Sequence, residues 1–244
     1  MKEFILSKEV PNIEANRQFV IFGPNYTDIG FDDNDILPAD VRNQYSFSLS
    51  PTPDMPDPTQ MQGQIISGNQ VAIRPQYISQ DKNLRVFFGG HRIHIEELNA
   101  TTDTYDSFIE LATHILSHVA SKKKLKVTRL AINSTQFARD TEDAFLKYFC
   151  QSDLYSNNPY EWAFRTNARE KCKEIDTEVN KILAVTKTAP HPNTMPPGMP
   201  MVNSKPALVV NYDFNTIPEQ LKDFNITELT KFAKAASIFR STIA

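Results

Sequence analysis

The 244-residue chain carries 26 lysines and arginines against 29 acidic residues, for a net charge of −3, and is 40% hydrophobic and 23% charged. That balance is ordinary for a folded globular protein and excludes disordered and fibrous classes, while the slight acidity leaves only local basic patches to attract nucleic acid or membrane. With 7 glycines and 2 cysteines, the chain has no GxGxxG or GxxxxGK(S/T) phosphate loop, no CxxC pair and no disulfide framework.

No apolar run reaches the roughly 18 residues of a membrane span, and MKEFILSKEVPN does not read as a signal peptide. A cytoplasmic protein forming a single domain over 1–244 is therefore expected. RQFVIFG (17–23) reads as a short buried strand that Pro24 stops. From Asp32 to 60 the chain is rich in Asp, Pro and Asn and reads as a surface excursion, with one strand-like interruption, YSFSLS (45–50), before a Pro-rich surface loop at 51–60. In MQGQIISGNQVAIRPQYI (61–78) the runs IIS and VAIR flank a Gly-Asn turn signal, predicting a hairpin or bulged strand.

NLRVFFGGHRIHIEEL (83–98) is the clearest local unit, two alternating runs joined by Gly89-Gly90, which can supply the positive φ angles of a tight turn. A two-residue turn there pairs Phe88 with His91, Val86 with Ile93 and Leu84 with Ile95. The apolar set then shares one side of the sheet, and Arg85, Phe87, Arg92 and His94 share the other.

Residues 101–125 place Tyr105, Phe108, Ile109, Ala112, Ile115, Leu116 and Val119 at helical spacing, an amphipathic helix ending in lysines. VTRLAINS (127–134) reads as a strand with Leu130 and Ile132 on one face and Arg129 and Asn133 on the other. A second helix is expected over 140–155, burying Phe145, Tyr148 and Phe149, then a strand over 161–168. Residues 174–189 suit a helix or a strand, the second half favouring strand, and 190–206, with six prolines, reads as an irregular surface loop. ALVVNYDF (207–214) is a strand, and 225–244 a helix opened by an Asn225 to Glu228 capping box and burying Leu229, Phe232, Ala236 and Phe239. The predicted class is α+β, an antiparallel sheet of hairpins with helices packed on one face.

The succession from LRVFFGGHRIHIEEL through the long helix and VTRLAINSTQF to ALVVNYDF and a final helix ending ASIFRSTI resembles an uncharacterised, sporadically distributed bacterial protein family of about this length. The resemblance spans residues 80–244 and brings no activity with it. The family's patchy distribution implies mobile or defence-associated genes.

Glu110, His114 and His118 stand at i, i+4 and i+8 of the long helix and could offer a carboxylate and two imidazoles to a divalent metal. They lie opposite the apolar stripe, though, where a solvated or subunit-facing helix surface explains them. Cys150 sits beside Phe149 in a predicted helix, where burial suppresses the thiolate, and His191 lies in the Pro-rich loop. The acidic run Asp32, Asp33, Asn34, Asp35 lacks the glycine and distal glutamate of a calcium loop. Lys122, Lys123, Lys124 and Lys126 suit the carbonyl end of a helix as well as a phosphate.

The most suggestive set is the sheet face opposite the helices. Alternation collects Arg85, Phe87, Arg92 and His94 there, with Arg129 and Asn133, Asn211 and Asp213 from later strands. Arginines interleaved with an aromatic can bind phosphates and stack bases, whereas the plain alternative is an ordinary polar outer face. The leading expectation is a non-enzymatic binding or assembly protein with a protein partner, no cofactor, no membrane association and room for homo-oligomerisation. The alternatives are a binder of an anionic ligand, nucleotide or nucleic acid using the basic face, and a hydrolase or nuclease with scattered carboxylates.

Overall fold

The computed structural model of the chain describes residues 14–33, 35–54, 72–100, 104–139, 162–188, 207–220 and 222–241. In chain order these form β1 (Glu14–Phe22), α1 (Ala39–Tyr45), β2 (Ser48–Pro53), β3 (Ile73–Ile78), β4 (Leu84–Phe88), β5 (Arg92–Ala100) and α2 (Tyr105–Lys122). There follow β6 (Arg129–Arg139), β7 (Trp162–Cys172), β8 (Thr177–Thr188), β9 (Ala207–Thr216) and α3 (Ile226–Ser241).

The nine strands make one antiparallel sheet in the order β2-β3-β4-β5-β1-β6-β9-β8-β7. Because strand side chains alternate, one face of this sheet is apolar and the helices lie on it. Phe19 and Ile21 of β1, Ile93 and Ile95 of β5, and Leu130 and Ile132 of β6 are buried against Phe108, Ile115 and Leu116 of α2 and Leu229 and Phe232 of α3. Phe232 is the hub of the α3 contact, its ring centroid 6.1 Å from Phe19 and 5.0 Å from Phe214. Each such side chain contributes about 1.5–3 kcal/mol by leaving water, which outweighs the modest helix propensities of the two segments.

The capping box forms as the sequence predicts. Asn225 N–H donates to Glu228 Oε2 at 3.0 Å, and Glu228 N–H donates to Asn225 Oδ1 at 3.0 Å. The α+β class also holds, the described helices α2 and α3 pack on one face of the sheet, and no helix among the described residues is long and apolar enough to cross a membrane.

Five local expectations change. The stretch after Asp32 is not purely a surface excursion, since Ile36, Leu37 and Val41 join the core and residues 39–45 form α1. Val41 is the buried residue of α1, while Ile36 and Leu37 precede the helix, all within acidic and proline-rich sequence that reads as loop. The strand-like YSFSLS begins only at Ser48, because Tyr45 ends α1 and Ser46 takes a left-handed φ of 47°. That strand continues through Pro51 to Pro53, within the expected loop, which an edge strand tolerates because its outer N–H positions need no ladder partner.

The β4–β5 hairpin is displaced by two residues. Phe88 pairs with Ile93 and Val86 with Ile95, and Gly89 N–H closes the reversal on Arg92 O at 2.8 Å. A shift of two leaves every side chain on its expected face, so Val86, Ile93 and Ile95 are fully buried. Neither glycine adopts the left-handed φ of a two-residue turn; close packing requires Gly89, where a Cβ would lie 2.8 Å from the Phe87 ring and 2.9 Å from Asp54 Oδ1. Residues 177–188 are strand throughout, paired with both β7 and β9. The predicted helix at 140–155, the loop at 190–206, and residues 55–60 and 61–71 of the predicted loop and hairpin lie outside the described residues.

Candidate functional site

The face opposite the helices is organised by register into rows that cross the sheet. One row runs Arg85, Glu96, Gln18, Asn133, Asp213 through β4, β5, β1, β6 and β9. The next runs Phe87, His94, Val20, Ala131, Asn215, Asn180. The third places Phe22 directly between Arg92 on β5 and Arg129 on β6.

Arg85, Phe87, Arg92, His94 and Arg129 therefore do share one face, but they do not converge on Phe87. Arg92 lies over the Phe87 ring at 5.8 Å, whereas Arg129 lies over Phe22 at 4.8 Å and Arg85 Nη1 reaches Glu96 Oε2 at 3.8 Å. Glu96 also accepts from Gln18 Nε2 at 2.9 Å, so the Arg85 charge is answered locally. Phe87 is 3% exposed and stacks on His94 with ring centroids 4.9 Å apart. Burial, and secondarily the Arg92 charge, pushes the His94 imidazole down to about 4, so it is neutral at physiological pH.

The row of Phe87 and His94 is covered along most of its length. Val20, Ala131, Asn215 and Asn180 are all buried. Polar groups there answer one another: Arg169 Nε donates to Asn180 Oδ1 at 3.4 Å, Asn180 Nδ2 to Asn215 Oδ1 at 3.1 Å, and Asn215 Nδ2 to Asp213 Oδ1 at 2.9 Å. Burial holds the Asp213 carboxyl above its ordinary range, opposed by the Asn215 hydrogen bond and the charges of Arg129 and Arg165. Asn211 accepts from Thr135 Oγ1 at 2.7 Å.

Sequence reasoning missed Phe22 and the arginines of β7. The alternation in RQFVIFG puts Gln18, Val20 and Phe22 on one face, and that in EWAFRTNAREK does the same for the exposed Arg165 and Arg169. What local pattern does not reveal is that β1 lies between β5 and β6, which brings Phe22 between two arginines.

The other candidates are dispersed. His114 Nε2 lies 3.2 Å from Asp40 Oδ2 of α1, and Glu110 opens onto a groove between α2 and α3. Among the described residues, no group of three His, Cys, Asp or Glu is placed to hold a metal ion, so Glu110, His114 and His118 do not form such a set. The acidic and basic runs meet each other: Lys123 pairs with Asp33 at 2.5 Å, Lys122 with Asp35, and Lys126 with Asp223 at 3.2 Å. Cys172 is buried, and burial followed by the Glu174 contact pushes its thiol up to about 11; Cys150 and His191 lie outside the described residues.

Charged groups also sit on the helix-facing side. Arg17 is fully buried, pairs with Glu97 at 3.2 Å, donates to Thr104 Oγ1 at 3.0 Å and lies 5.5 Å from the Tyr105 ring centroid, while Arg240 approaches the same ring at 4.1 Å. Two guanidiniums on one ring, anchored by a carboxylate, tie the start of α2 to β1, β5 and the end of α3. No family model, curated protein or solved structure matches this chain.

Proposed function

We propose that this chain is a non-enzymatic binding protein of the bacterial cytoplasm that holds an acidic protein partner through the sheet face opposite its helices. The observation that carries the reading is Phe22 in register between Arg92 and Arg129, with Arg129 stacked on its ring. A guanidinium laid on an aromatic is held flat and keeps its N–H edge for a carboxylate or phosphate. With exposed Arg165 and Arg169 on the same face, a chain of net charge −3 presents local cationic relief.

The aromatic rings of this face favour charge recognition over base stacking. Phe87 is buried under His94 and Arg92, and Phe22 is occupied by Arg129, so neither offers the open ring that single-stranded nucleic acid uses. Rim arginines act mainly on association rate and salt dependence.

The test is affinity capture from the native host with wild-type protein and an Arg92→Ala/Arg129→Ala variant of unchanged circular dichroism. A partner retained by wild type, released by added salt and lost by the variant supports the reading. Retention by the variant removes the arginine face from consideration. If a labelled single-stranded oligonucleotide binds with an affinity that collapses in Phe22→Ala, a nucleic-acid reading replaces this one.

A further inference from the structure

Helices α2 and α3 run antiparallel, with Tyr105 beside Arg240 at one end and Ala120 near Phe224 and Leu229 at the other. Between them, on the side away from the sheet, lies a groove of about 770 Å³ with Ile109 and Ala233 at its floor. Ile226 and Ile238 stand at its two ends, 39% and 60% exposed. With Ile109 and Ala233 they line one apolar groove rimmed by polar residues, and an apolar patch of that kind, unlike a lone exposed isoleucine, is a feature of contact surfaces.

The groove's charges are segregated by wall. Asp106 and Glu110 come from α2, and Lys234 from α3. Neither Glu110 nor Lys234 forms an ion pair within the described chain, although both are exposed on the same groove. We infer that this groove is the interface of a two-fold homodimer, with α2 of each copy seated over α3 of the other.

Charge chooses both the occupant and the symmetry. A two-fold axis running along the groove lays the acidic wall of one copy on the basic wall of its partner, so that Glu110 meets Lys234 twice, as an isologous interface requires. An axis across the groove would set α2 on α2 and Glu110 against Glu110, which like-charge repulsion disfavours. The same axis carries Ile226 and Ile238 of each copy onto the two ends of the opposing α2. Two helices side by side present a surface about 25 Å long and 20 Å wide, at the small end of specific interfaces, so a reversible dimer of roughly micromolar affinity is expected. The arginine face lies on the other side of the sheet and takes no part in such a dimer.

Sedimentation velocity of the full chain over a concentration series tests this. Wild type should show a concentration-dependent monomer–dimer equilibrium, and Ile238→Asp, at a solvent-exposed position, should remain monomeric with an unchanged melting temperature. Glu110→Lys and Lys234→Glu should each weaken the dimer at least about tenfold, and the double variant, which reverses the pair, should restore it. A wild-type monomer at all concentrations overturns the inference and leaves the groove to a different partner. A dimer indifferent to the single charge changes, or not restored by the double one, overturns it equally.

Discussion

Asp54, the residue after β2, accepts a 2.7 Å hydrogen bond from the Gly90 N–H in the β4–β5 reversal and faces Arg74 at 3.6 Å. Tyr26 N–H donates to Gly90 O at 2.6 Å from another side. The hairpin is thus clasped by two distant segments, which accounts for a reversal other than the one its glycines suggest.

Replacing Asp54 with alanine removes a charge-assisted acceptor and should cost about 1.5–3 kcal/mol, with Asp54→Asn less damaging. The local signature is faster hydrogen exchange of the Gly90 amide, read by NMR, with the amides of α2 unaffected. Unchanged exchange at Gly90 would mean the clasp does not hold the turn.

The glycines divide into packed and open positions. A Cβ on Gly23 would lie 2.2 Å from the Lys126 carbonyl oxygen and 2.4 Å from the Tyr26 hydroxyl, whereas one on Gly30 would meet nothing within 4 Å. Tyr26 itself donates to that carbonyl at 3.0 Å, so the neighbourhood has little freedom to move. Gly23→Ala should destabilise by about 1–3 kcal/mol and Gly30→Ala should stay within about 0.5 kcal/mol of wild type. Thermal unfolding of the two variants side by side decides it.

His94 gives the protein an acid sensitivity of definite sign. Its folded pKa lies near 4 while the unfolded side chain titrates near 6.5, so the unfolded chain takes up the proton first. The contribution is fully present above the unfolded value and is lost as pH falls toward the folded one. Between pH 7 and pH 5, wild type should lose about 2 kcal/mol more than His94→Gln in urea unfolding. Glu97 and Asp213, whose folded values are raised by burial, act in the opposite sense and are common to both proteins. Parallel pH profiles for the two proteins would show that His94 is solvated.

Glu97 faces a guanidinium that has no exposed surface. Glu97→Ala removes the carboxylate and leaves that charge buried, at a cost of about 3 kcal/mol or more. An Arg17→Met/Glu97→Leu variant, with neither charge, should recover most of the loss, because replacing both members of a buried pair avoids stranding either one. Equal destabilisation of the two variants in chemical unfolding would show that the pair matters through packing alone.

Periodicity made a good part of this protein readable. The 2-residue alternation assigned Arg85, Phe87, Arg92, His94 and Arg129 to one face, and their positions in the sheet agree. The helical spacing in α2 and the Asn225 to Glu228 cap were equally legible, because each is set by residues within a turn or two of one another. α1 was obscured for the converse reason, its one buried residue, Val41, and the core residues Ile36 and Leu37 just before it being scattered through a composition typical of loops.

Alternation states which side of a strand a residue occupies and nothing about which strand lies next to it. Phe22 became the neighbour of both Arg92 and Arg129 only when β1 was inserted between β5 and β6, and Lys123 met Asp33 only when the end of α2 packed beside the loop before α1. The hairpin register was decided the same way, by Asp54 and Tyr26 closing on Gly90. Orientation is a local property of backbone geometry, so the sequence alone determined it; adjacency depends on burying one shared core among segments far apart in the chain, so only the tertiary structure could decide it.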